Sequence, residues 1–116
     1  MRTLLLLFAL CTSLFQSCTY KKYELINPPK VDSTVSYSAT IAPINFAQCN
    51  SCHIPQGTGN GDFANYNGVK TKVDNGSMYL RVVVYKDMPT PGSGYTLTDE
   101  QRNQYDRWIR QGAKNN

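Results

Sequence analysis

Histidine is almost missing from this chain of 116 residues: His53 is the only one. Cysteine is scarce too, at Cys11, Cys18, Cys49 and Cys52, and the first two fall in a segment that reads as a targeting leader, so no disulfide framework is expected. A structural zinc site takes four ligands, and Cys49, Cys52 and His53 supply only three. No apolar run reaches the ~20 residues that a membrane span requires. The formal net charge is +4, but the basic residues (Lys70, Lys72, Arg81, Lys86, Arg102, Arg107, Arg110 and Lys114 among them) are spread out. The dense basic stripe of a nucleic-acid binder is therefore absent. Gly57-Thr58-Gly59-Asn60-Gly61 lacks the Lys-Ser/Thr ending of a phosphate loop and reads as a flexible connection. There is no internal repeat.

What is present is Cys49-Asn50-Ser51-Cys52-His53. Two thiols one helical turn apart, followed at once by histidine, form the pattern that attaches a c-type haem. On a helix, positions three apart share a face, so Cys49 and Cys52 can each form a thioether with a haem vinyl group while His53 binds the iron axially. A thioredoxin-like dithiol would need a strand-helix-strand setting, whereas the residues before Cys49 read as helix. A zinc-bound or incidental motif in a non-haem interaction domain is the remaining alternative.

The N-terminus reads as an export signal, with Arg2 ahead of an apolar run from Leu4 to Leu10. Leu14-Phe15-Gln16-Ser17-Cys18 looks like a loose lipobox, which predicts removal of residues 1–17 and lipidation of Cys18. Loss of Arg2 takes the formal charge from +4 to +3. Haem c is attached outside the cytoplasmic membrane, so leader and motif point to the same compartment: the periplasmic side of a bacterial envelope, anchored by lipid at Cys18. Residues 18–38, with Pro28-Pro29 and several Ser, Thr and Lys, read as a flexible tether. Its twenty or so residues reach at most roughly 70 Å.

The folded domain is expected over residues 39–116, all helical. Thr40-Ile41-Ala42-Pro43 reads as a helix start, with Ile44, Ala47 and the cysteines on its inner face. Asn65 caps a short helix through Val69 and Val73 that ends at Asn75-Gly76. Ser77 then caps another with Leu80, Val83 and Val84 on one face, although Val82-Val83-Val84-Tyr85 would also suit a strand. The clearest helix follows Thr98-Asp99-Glu100-Gln101, a capping box, and carries Tyr105, Trp108 and Ile109 up to Gly112.

Taken in order, Ser38-Ala39-Thr40-Ile41-Ala42-Pro43-Ile44, the Cys49 to His53 motif, Met88-Pro89, Leu97-Thr98-Asp99-Glu100 and Trp108-Ile109-Arg110-Gln111-Gly112-Ala113 resemble small class I cytochrome c domains of bacterial envelope proteins. The resemblance implies a bundle of three to four short helices around one covalent haem, with first and last helices crossing and a methionine as second axial ligand. The residues themselves agree on that ligand. With one histidine, bis-histidine ligation within the chain is excluded, and a thioether opposite histidine is the usual electron-transfer pairing. Met88 lies before Pro89 in a loop with Pro91, Gly92 and Gly94, whereas Met78 starts a helix and fits core packing better.

Some carbonyl should accept from the second ring nitrogen of His53. The resemblance suggests a downstream proline, but Pro55 is the only one before Met88 and is too close, so the acceptor is left open. Phe63, Tyr66, Tyr79 and Tyr95 are candidates to line the haem, and Trp108 reads as core. The expected function is single-electron transfer by a monomer to a redox partner protein, with Lys70, Lys72 or Lys86 as docking charges and no bound nucleic acid. The alternative is a five-coordinate haem that binds a small gas or activates peroxide. A second histidine to act as distal acid or base is missing for peroxide work.

Overall fold

The computed structural model describes residues 33–116. The expected leader, Cys18 and the tether up to residue 32 lie outside the described residues. Five helical segments follow in order: a wide π-type turn Tyr37–Ile41 (π1), α-helix Ala42–Gln48 (α1), Tyr66–Asp74 (α2), a second π-type segment Tyr79–Val84 (π2) and Asp99–Arg110 (α3). Since π1 runs directly into α1, these make four helices, and no strand occurs among the described residues. None of the helices is long and apolar enough to cross a membrane.

Packing starts at Val35, upstream of the expected Ala39. Val35 and Tyr37 are both buried, the Val35 amide donates to Gln111 Oε1 at 2.9 Å, and the Tyr37 amide donates to Asn116 Oδ1 at 2.9 Å. Two apolar side chains spaced by one polar residue are too short a pattern to stand out in a Ser/Thr-rich run, yet they close one side of the core. Ser36 caps the first helix, its Oγ accepting from the Ala39 amide at 3.2 Å. Pro43 sits a turn into that continuous helix. A proline ring crowds the carbonyl four residues back, and the wide turn ahead of it, with the Ile41 amide reaching Ser36 O at 3.3 Å, gives the ring room.

Asn65 and Thr98 cap as their sequences predict. Asn65 Oδ1 accepts from the Gly68 amide at 2.9 Å. Thr98 Oγ1 accepts from the Gln101 amide at 3.1 Å, while Gln101 Oε1 accepts from the Thr98 amide at 2.9 Å. Asp99 and Glu100 in the first turn of α3, with Arg107 and Arg110 in the last, complement its dipole. The segment after Ser77 is helical, not a strand, but it buries a different face from the one expected. Met78 and Val82 point inward, and Leu80 and Val84 are 44% and 49% exposed. The i to i+5 bonding of π2, seen in the Tyr85 amide donating to Leu80 O at 2.8 Å, changes the angular step per residue.

The core is closed by Ile41, Val69, Tyr105 and Trp108, each with no exposed surface. Burial of side chains this large is worth about 1.5–3 kcal/mol apiece. Trp108 lies 5.6 Å from the Tyr37 ring and donates its indole N–H to Lys114 O at 3.0 Å, so it is the structural anchor that its spacing suggests. On α1 the inner face carries Asn45 in place of the expected Ala47, which is exposed. Asn45 is buried and accepts from the Tyr105 hydroxyl through Oδ1, while its Nδ2 has no partner.

Removing the Tyr105 hydroxyl leaves a buried carboxamide without any side-chain bond, a loss of about 1–3 kcal/mol. Urea unfolding of Tyr105→Phe should show that loss, and Tyr105→Phe/Asn45→Leu should recover part of it. A Tyr105→Phe protein as stable as the parent would show that the bond contributes nothing.

Candidate haem-attachment site

Helix α1 stops at Gln48, and the Cys49 to His53 motif forms the turns that follow rather than lying on the helix itself. Helix-like bonding nevertheless continues through it. The Cys49 and Asn50 amides both donate to Asn45 O at 2.9 Å, and the Cys52 and His53 amides donate to Cys49 O at 3.1 and 3.0 Å. Cys49 and Cys52 thus stay one turn apart with His53 next to them, as the attachment chemistry requires.

The chain from residue 54 to 63 wraps round the imidazole. The Gly59 amide donates to Cys52 O at 2.9 Å and the Phe63 amide to His53 O at 2.8 Å. The Phe63 ring stacks on that of His53, with centroids 4.3 Å apart and planes 5° from parallel. Nδ1 of His53 faces Asn60 O at 3.1 Å. A carbonyl can only accept, so Nδ1 carries a proton and Nε2 is the ring nitrogen left to meet a metal. Asn60 is the acceptor that the sequence left open, and it is itself held by Lys72 Nζ, which donates to Asn60 Oδ1 at 2.8 Å.

The glycines in this stretch serve close approach rather than slackness. A Cβ on Gly59 would stand 2.7 Å from the imidazole, and one on Gly57 would stand 2.0 Å from Cys52 O.

Cys49, Cys52 and His53 line one cleft of about 490 Å³ together with Met88, which is 35 positions further along the chain than His53. That volume falls within the ~300–1,000 Å³ of cofactor-sized clefts. Phe63, Val82 and Leu97 supply apolar wall. Of the aromatic candidates, Phe63 and Tyr95 line the cleft, whereas Tyr66 packs edge-on against Tyr37 at 5.0 Å and Tyr79 accepts from Arg110 at 3.0 Å. Met78 also reaches the cleft but is locked in the core at 4% exposure.

Met88 is delivered by a sharp reversal. Lys86 takes a left-handed backbone (φ 55), which folds the next two residues back so that the Asp87 and Met88 amides donate to Arg81 O at 3.1 and 3.3 Å. Arg81 also pairs with Asp87 at 2.7 Å. Thr90 Oγ1 lies 3.6 Å from the Met88 sulfur. At the surface Lys70 pairs with Asp74 and Lys86 with Asp99 at 3.5 Å.

Burial pushes the Cys49 thiol up to about 11. Such a position disfavours the thiolate that a zinc site or redox dithiol uses and suits an uncharged thioether. Among the described residues no three His, Cys, Asp or Glu side chains are grouped to hold a bare metal ion. A haem asks less of the protein, because the porphyrin brings four nitrogen donors and only axial ligands are needed. The residues of the cleft fit that group.

No protein-family model, curated protein or solved structure matches the chain.

Adding a methyl group at position 59 must push the imidazole or the loop aside. Gly59→Ala should therefore cost about 1–3 kcal/mol in denaturant unfolding. Unchanged stability would show that the loop is not packed on His53 as described.

Proposed function

We propose that the chain is a lipid-anchored, monohaem c-type cytochrome that carries single electrons in the bacterial cell envelope. The observation that carries this is the meeting of Cys49, Cys52, His53 and Met88 at one cleft, with His53 held in the tautomer that leaves Nε2 free.

In this reading Cys49 and Cys52 fix the porphyrin by thioether bonds, which needs no charge on either sulfur. His53 would hold the iron through Nε2, while its Nδ1–H bond to Asn60 O holds the ring in place and increases its basicity. Met88 offers its thioether from the opposite segment. Bound haem supplies a one-electron Fe(III)/Fe(II) couple. Phe63, Val82 and Leu97 would shield a bound haem from water, and with His53 and Met88 both engaged the group would supply electron transfer rather than substrate chemistry.

The residues that read as an export signal and the lipobox-like stretch ending at Cys18 support a location on the periplasmic side, with the chain between Cys18 and the packed Val35 as the tether. A redox partner protein, met through a small and transient interface, takes or gives the electron.

The test is the visible spectrum of protein matured in a host that makes c-type cytochromes, recorded for the parent and Met88→Ala in both oxidation states. The expected result is a weak band at the red end of the oxidised parent spectrum that is lost in Met88→Ala. A parent spectrum of five-coordinate, high-spin haem would replace this reading with gas binding or peroxide chemistry, and absence of haem would end it.

A further inference from the structure

We infer that Arg102 is the positioning residue that holds Met88 toward the cleft. This rests on Met88 being the distal ligand. Arg102 Nη1 donates to Met88 O at 3.0 Å and to Val82 O at 2.7 Å. Among the described residues Arg102 pairs with no carboxylate, although every other arginine of α3 does. A guanidinium keeps its charge at all accessible pH, and its bonds to carbonyls are charge-assisted. Val82 O lies in the last turn of π2, where helix carbonyls lack partners, so the same side chain caps that helix and ties the Met88 peptide to it.

The placement on α3 gives the contact its consequence. One turn after Arg102, Tyr105 donates to Asn45, whose backbone oxygen accepts from the Cys49 and Asn50 amides. One face of one helix therefore grips both banks of the cleft, the cysteine bank through Tyr105 and the methionine bank through Arg102. The separation between His53 and Met88 is set by a rigid strut rather than by the loop that carries Met88.

The probe is imidazole, which binds oxidised haem only by displacing Met88, so its half-saturating concentration reports how firmly Met88 is held. Arg102→Lys keeps the charge but loses the fork that spans two carbonyls. Losing one such charge-assisted bond should lower the half-saturating imidazole concentration roughly tenfold or more. In a Met88→Ala background the same substitution should leave imidazole affinity unchanged, since the group being positioned is gone. Equal affinities in parent and Arg102→Lys, or the same shift in both backgrounds, would overturn the inference.

A parent that binds imidazole as Met88→Ala does would instead overturn the ligand assignment of Met88 itself. If Arg102→Lys fails to take up haem, the parent decides the matter by nuclear magnetic resonance. The Arg102 guanidinium protons should exchange with water more slowly than those of free arginine in the same buffer, and equal rates would refute the anchoring.

Discussion

The buried face of α3 is the surface against which the other elements are placed. Tyr105 and Trp108, one turn apart and without exposed area, hold π1 and α1 through Tyr37 and Asn45, and the same helix reaches π2 through Arg102. The capping box at Thr98 and the opposite charges at its two ends make α3 the best-formed helix locally before any packing is counted. The cysteine motif and the methionine loop lie outside the regular helices, and each is bonded to one: the motif to α1 through Asn45 O, the methionine loop to π2 through Arg81 O.

The cleft lies between those two irregular segments. A domain this small buries limited apolar surface, and its apolar walls leave a volume that a planar hydrophobic cofactor would complete. The histidine side is the more constrained bank. Phe63 stacks on the ring, Asn60 fixes its tautomer, and Gly59 allows the loop to come within contact distance. The methionine side is anchored through its backbone, at Met88 O, while its sulfur meets only the Thr90 hydroxyl, as suits a thioether that makes weak hydrogen bonds.

Much of this was legible in the sequence where the signal is local. Asn65 and Thr98 announce their helices because capping depends on residues within one turn. The grouping of Cys49, Cys52 and His53 is legible for the same reason, the three lying within five consecutive residues. Contacts over long separations were not legible. Nothing near Asn60 marks it as the partner of His53, since a backbone carbonyl has no identity in the sequence, and Arg102 looks like any surface cation until its carbonyl partners are placed. The inner face of π2 departs from ordinary helical spacing because its turns are wider. Asn45 does not stand out in the sequence, because a polar residue on an inner face is expected only when its partner, here Tyr105 sixty positions away, is known.

The central claim is that Cys49 and Cys52 hold a haem covalently. The most direct measurement is the intact mass of denatured, matured protein, for the parent and for Cys49→Ser/Cys52→Ser. The account predicts one haem's mass on the parent, surviving denaturation, and none on the double variant. A parent chain that carries no haem after denaturation, made in a host that loads a known c-type cytochrome in parallel, would contradict it.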